Sequence, residues 1–138
     1  MVQNDDFYIL DFEGEPESTI RDRKVKQPPL KDVAGLFRSF HYAIYATIFN
    51  NIEHYKHSQN ELFEAGELLY KYLIGVFFET YVDEIQKENL NIGYKRERIF
   101  ILEYTLLEKA VYELGYELNS RPRWAVIPLK GISNIINH

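Results

Sequence analysis

Three stretches of helical apolar periodicity, set apart by turn-forming residues, constrain this chain more than any other feature. From Asp32 onward, Val33, Leu36, Phe37, Phe40, Ile44 and Ile48 recur at the spacing of one helix face. Asp32 is a good N-cap, and Ala43 and Ala46 allow close packing. This helix is predicted to end near Asn50-Asn51 or to run to about Tyr55. Gly35 costs helix propensity, so it marks a place for close backbone approach. The second stretch opens on Ser58 and Glu61, the pattern of a capping box. Leu62, Leu69, Tyr72, Leu73, Val76, Phe77 and Val82 follow. Because Leu68 to Val82 is apolar nearly all round, the pattern predicts a central, well-covered helix ending near Glu88-Asn89. After the Asn91-Ile92-Gly93 turn, a third helix is predicted from Lys95 to Leu118. Its core stripe is Ile99, Leu102, Leu106, Ala110 and Leu114; its charged positions are Glu103, Glu108, Lys109, Glu113 and Glu117.

The segments outside these helices are shorter. After a turn signal at Asp5-Asp6, Phe7 to Leu10 reads as a strand whose apolar run delivers Asp11-Phe12-Glu13-Gly14-Glu15-Pro16, an acidic turn. Its pairing strand is Met1–Gln3 or lies outside the chain, since one strand makes no stable sheet. Residues 17–29 are charged and close on Pro28-Pro29, which breaks any helix there. Asn119 to Pro122 ends the third helix, Trp124 to Leu129 reads as a connector with Pro128, and Leu129 to Asn137 as a short amphipathic helix carrying Ile132, Ile135 and Ile136. The expected fold is therefore mainly α: an antiparallel bundle of three long helices and a short terminal one, with an N-terminal strand or hairpin. It forms a single domain over 1–138, divided into a strand-turn (1–16), a linker (17–31) and a helical body (32–138).

Composition narrows the function. Hydrophobic residues make up 46% of the 138, enough for a packed core. There are no Cys, which excludes disulfides and thiolate zinc sites and fits a reducing cytoplasm. The net charge of −5, without a long basic stripe, argues against nucleic acid as partner. The N-terminus has no signal-peptide pattern, and the apolar runs are too short to span a bilayer.

Three groups of residues can carry chemistry. Residues two apart in an extended chain point the same way, so Asp11 and Glu13 can share a divalent cation such as Mg²⁺, which takes hard oxygen ligands. On the third helix, Lys109, Tyr112 and Tyr116 fall within an arc of about 60°, flanked by Glu113 and Glu117. Phenol faces, an ammonium and carboxylates suit a polyhydroxylated ligand. The same face also suits packing against a neighbour, with Lys109–Glu113 a surface pair. Arg121-Pro122-Arg123-Trp124 either binds an anion or sugar or anchors its loop to the core. His54 and His57 lack a third metal ligand and read as solvated.

Three ordered blocks resemble the bacterial maltokinases, including modules fused to trehalose synthase. They are residues 9–16; Pro29-Leu30-Lys31-Asp32-Val33-Ala34-Gly35-Leu36-Phe37-Arg38-Ser39-Phe40; and residues 107–118, followed by Arg121-Pro122-Arg123-Trp124 and Ile127-Pro128-Leu129. The resemblance implies the C-terminal lobe of a protein-kinase-like fold of the aminoglycoside phosphotransferase type. The reaction it implies is ATP plus maltose to ADP plus maltose 1-phosphate, with Mg²⁺ and ATP as cofactors. It places Asp11, with Glu13, at the metal and Lys109, Tyr112 and Tyr116 at maltose, with Glu117 and Arg121 as further substrate-binding residues. The family's N-terminal lobe and its His-Gly-Asp catalytic loop have no counterpart in these residues, so no catalytic residue is assigned. The expectation is a lobe inactive alone, whose partners are maltose or a related glucoside, the missing lobe or trehalose synthase module, and further copies of itself. The competing expectations are a non-catalytic helical interaction module derived from a kinase, and a lobe serving another acceptor such as an amino sugar.

Overall fold

A computed structural model describes residues 19–54 and 56–137, together with the backbone of residues 2–3 and 6–7. Residues 8–10 of the strand predicted at 7–10, and the acidic turn with Asp11 and Glu13, lie outside the described residues. Val2–Gln3 (β1) pairs antiparallel with Asp6–Phe7 (β2).

The described part of the chain is mainly helical. A short helix, α1 (Ile20–Lys24), interrupts the segment expected to be a linker. Thr19 caps it by accepting from the Asp22 backbone N–H at 3.1 Å. The long helix α2 spans Leu30–Asn51. It begins two residues before the predicted cap. Lys31 and Asp32 already donate to the Pro28 and Pro29 carbonyls, and proline suits a helix start because it lacks an N–H that would go unbonded. Asp32 lies in the first turn, where its charge still favours the positive end of the helix dipole. A 3-10 turn (Ile52–His54) leads to α3 (Gln59–Lys87), and the predicted capping box is present: Ser58 Oγ accepts from the Glu61 N–H while Glu61 accepts from the Ser58 N–H. α4 covers Lys95–Ser120. The expected connector after it is a 3-10 turn (Pro122–Ala125) running directly into α5 (Val126–Ile136). Pro128 sits in the first turn of α5, where its missing donor costs nothing. The buried face of α5 is Ile127, Pro128 and Gly131, whereas Ile136 is exposed.

The central helix is α2, not α3. Gly66 of α3 lies beside Ile44 and Ile48, and Phe77 beside Phe37 and Phe40, so α2 and α3 run antiparallel. Arg38 meets Glu113 and Tyr42 meets Glu117, so α2 and α4 run parallel, completing an up-down-up order. α5 returns antiparallel beside α2, with Ile127 packed near Tyr45 and Ile48, and Gly131 against Arg38. α3 buries one stripe through Phe63, Gly66 and Tyr70 and leaves the opposite face open: Leu68 is 72% and Tyr72 67% exposed. Its apolar composition thus serves two faces, only one of which the described residues cover. Among the described residues no helix is long and apolar enough to cross a membrane.

The core has two apolar clusters. Leu30, Val33, Ala34, Phe37 and Leu106 form one; Tyr45, Ile48, Phe63 and Ile127 form the other. Between them along α2 lie Arg38 and His41, both buried. Ala34 is the fully buried small residue on α2, while Ala43 faces solvent. At Gly35 a Cβ would meet only the Lys109 side chain at 3.7 Å, so no tight backbone approach occurs there.

Candidate functional site

The polar layer between the two clusters is a chain of charge-assisted contacts. Arg38 of α2 donates from Nε and Nη2 to Glu113 Oε2 of α4, at 2.8 and 2.6 Å. Its Nη1 lies 3.1 Å from His41 Nδ1. Arginine only donates, so Nδ1 accepts and the His41 proton sits on Nε2. Nε2 then donates to Glu67 Oε1 of α3 at 2.9 Å. Tyr45 adds a bond to Oε1 at 2.7 Å, and Asn134 of α5 bonds Oε2 at 2.6 Å. One layer therefore ties α4, α2, α3 and α5 together.

The electrostatics follow from burial. Desolvation, with the Arg38 charge adding to it, lowers the His41 pKa below its usual 6.5 and keeps the ring neutral. Burial alone would raise Glu67, but the hydrogen bonds from His41, Tyr45 and Asn134 hold it at about 2. Burial raises the phenols of Tyr45 and Tyr42, and pushes Tyr70 up to about 12.

A second constellation lies at the C-terminal end of α4. Glu117, 1% exposed, accepts from Arg121 Nη2 and Tyr42 at Oε1 and from Arg121 Nε at Oε2. The Arg121 guanidinium covers the Trp124 ring at 4.3 Å and approaches the Tyr116 ring at 6.0 Å. Trp124 packs on Phe49 with ring centroids 5.9 Å apart. The Arg121–Trp124 segment therefore anchors the α4–α5 turn to the core and also presents a cation over two aromatic faces.

Each predicted substrate-binding residue has a definite place. Tyr112, Tyr116 and Arg121 are exposed, and Lys109 is half-buried beside Gly35. Glu117 faces inward with both oxygens engaged by Arg121 and Tyr42, so the glutamate holds the guanidinium in place and Arg121, not Glu117, is the group exposed to solvent. Glu113 and Glu117, read as flanking a solvent face, instead form the α2–α4 interface. Burial there is possible because Arg38 and Tyr42 sit one turn apart on α2 and supply matching donors. Arg38, His41, Glu67 and Asn134 escaped the sequence reading. Partners tens of residues apart leave no local signal, and the one hint was Arg38 and His41 interrupting the apolar stripe of α2.

Asp11 and Glu13 lie outside the described residues. Among the described residues no group of three His, Asp or Glu converges as a metal site, and His54 and His57 are exposed, with His57 3.9 Å from Glu61. A cleft of about 700 Å³ opens at the other end of α4 between Pro29, Leu30, Ile92, Arg96, Phe100 and Ile101. No family model matches the chain.

Proposed function

We propose that this chain is the acceptor-sugar lobe of a maltokinase-like phosphotransferase, whose parent reaction moves the ATP γ-phosphate to maltose. The observation that carries the reading is the juxtaposition of Tyr116, Arg121 and Trp124, with Lys109 and Tyr112 on the same stretch of α4. Sugars are held by aromatic faces that cover their C–H surfaces and by charged groups that bond their hydroxyls. In this reading the Glu117 carboxylate and the Trp124 ring fix Arg121 before the ligand arrives, which reduces the ordering cost of binding. Asp11 and Glu13 supply the oxygen donors that suit Mg²⁺. That ion would neutralise phosphate charge during transfer.

Trp124 is the single tryptophan and reports on the site directly. Titration with maltose is expected to give a saturable change in its fluorescence, lost in Lys109→Ala and weakened in Tyr116→Phe. A flat response at millimolar maltose in the folded wild-type chain would reject a sugar site on this lobe. A stronger response to an amino sugar would reassign the acceptor.

The second reading, a helical interaction module, is favoured by a separate observation. The outer faces of α3 and α4 expose Leu68, Tyr72, Phe100 and Tyr104. Exposed apolar strips of this size mark interaction surfaces.

A further inference from the structure

The outward side of α4 carries Phe100, Tyr104, Leu107, Val111, Leu114 and Leu118, spaced four, three, four, three and four residues apart. That is an uninterrupted heptad seam nearly three heptads long. It is open: Phe100, Tyr104, Val111 and Leu118 are 68, 60, 56 and 57% exposed, with Leu107 and Leu114 half-buried between them. The core stripe of α4, Leu102, Leu106, Ala110 and the inward Glu113 and Glu117, points elsewhere; of the stripe expected from the sequence, Ile99 is exposed and Leu114 sits half-buried at the edge of the seam. The helix therefore has two apolar faces, and the described residues cover one.

We propose that two copies of the chain pair antiparallel along this seam. The register argues for a second copy. Reversal about the point midway between Leu107 and Val111 sets Phe100 against the partner's Leu118, Tyr104 against the partner's Leu114, and Leu107 against the partner's Val111. Each aromatic ring then meets a leucine, whereas parallel pairing would stack Phe100 on Phe100 and Tyr104 on Tyr104. The area also fits. With roughly 150–250 Å² for a whole aromatic side chain and somewhat less for Val and Leu, the four exposed residues present about 450 Å². Leu107, Leu114 and the stems of Glu103 and Glu108 extend the strip toward the ~800 Å² per partner of a stable interface. The outer face of α3 is a poorer candidate, because its seam through Leu69, Tyr72 and Val76 runs into Glu79 and Asp83. Lys109, Tyr112 and Tyr116 lie on the opposite flank of α4, so pairing leaves them open and does not rest on the sugar reading.

The test is the mass in solution, by light scattering and sedimentation over a range of concentration. The wild-type chain is expected at twice its 16.4 kDa monomer mass. Val111→Lys and Tyr104→Lys, both at exposed positions, are expected at the monomer mass with unchanged helicity, and Leu68→Lys on α3 is expected to remain dimeric. The absence of cysteine makes the register testable. In the antiparallel pair, Glu108 lies about 3 Å along the axis from its symmetry mate and Phe100 roughly 27 Å from its own. Glu108→Cys should therefore be joined by a bis-maleimide of about 10 Å span, comparable to the interaxial distance, and Phe100→Cys should not. A wild-type monomer at every concentration, or a dimer that survives Val111→Lys but not Leu68→Lys, would overturn the interface. Crosslinking of Phe100→Cys in place of Glu108→Cys would overturn the register.

Discussion

Glu113→Ala probes the layer that joins α2 to α4. The Arg38 side chain is 4% exposed and that of Glu113 is 20% exposed. The substitution removes two bonds from the guanidinium and leaves His41 Nδ1, at 3.1 Å, as its remaining partner. Removing one member of a buried ion pair costs about 3–5 kcal/mol, mostly the penalty of the stranded charge. Because Glu113 is partly wet, water can enter the gap, so the lower end applies, about 3 kcal/mol. For a chain of this length that lowers Tm by roughly 10 °C, out of a total stability of about 5–15 kcal/mol. The double variant Arg38→Met/Glu113→Leu removes both charges while keeping most of the volume. It is expected to return to within about 1–2 kcal/mol of wild type, the remainder reflecting the donor lost by His41. Urea unfolding followed by circular dichroism, with the slope unchanged, gives these values. A single variant that loses less than about 1 kcal/mol, or a double variant as unstable as the two singles added together, would refute the buried-pair argument.

Two further outcomes follow from the same layer and its surroundings. The folded His41 pKa lies below 6.5, so the unfolded chain binds the extra proton first; this contribution is complete above about pH 6.5 and is lost as pH falls through the folded value. Glu67 adds a loss between its ordinary 4.5 and about 2, so stability by chemical denaturation should decline on the acid side through both groups; a flat profile from about pH 7.5 to 4 contradicts the layer. Glycine substitutions should diverge in thermal melts: a Cβ on Gly131 would fall on Arg38 Nη1, so Gly131→Ala destabilises by about 1–3 kcal/mol, whereas Gly75 has open space and Gly75→Ala stabilises by about 0.5–1 kcal/mol.

The helices themselves were legible. Ser58 and Glu61 placed the start of α3 to the residue, and the third stripe placed α4 within two residues of its end. Local signals did this, because capping and periodicity act within a few residues. The order of packing was not legible. An apolar run such as Leu68 to Val82 fits a central helix and a two-faced outer helix equally well, and choosing between them needs the position of α2. The charged interface was equally hidden, since Glu113 and Glu117 look like solvent positions until Arg38 and Tyr42 are brought to them. For the candidate site, the arc of Lys109, Tyr112 and Tyr116 came from the helix period alone. The seating of Arg121 between Glu117 and Trp124 required the turn that follows Ser120, where no periodicity helps.

The central placement of α2 has a consequence for how the molecule opens. Both apolar clusters and the polar layer draw residues from this one helix, and α3, α4 and α5 each dock on it. Without α2 the first cluster keeps only Leu106 of its buried members and the second only Phe63 and Ile127, so the middle amides of α2, around Phe37 to Tyr45, should exchange with solvent only on global unfolding. The last turn of α3, Asp83 to Lys87, touches little of that core and can fray without disturbing it. The bundle should therefore show a steep gradient of amide protection, highest along a helix in the first half of the chain.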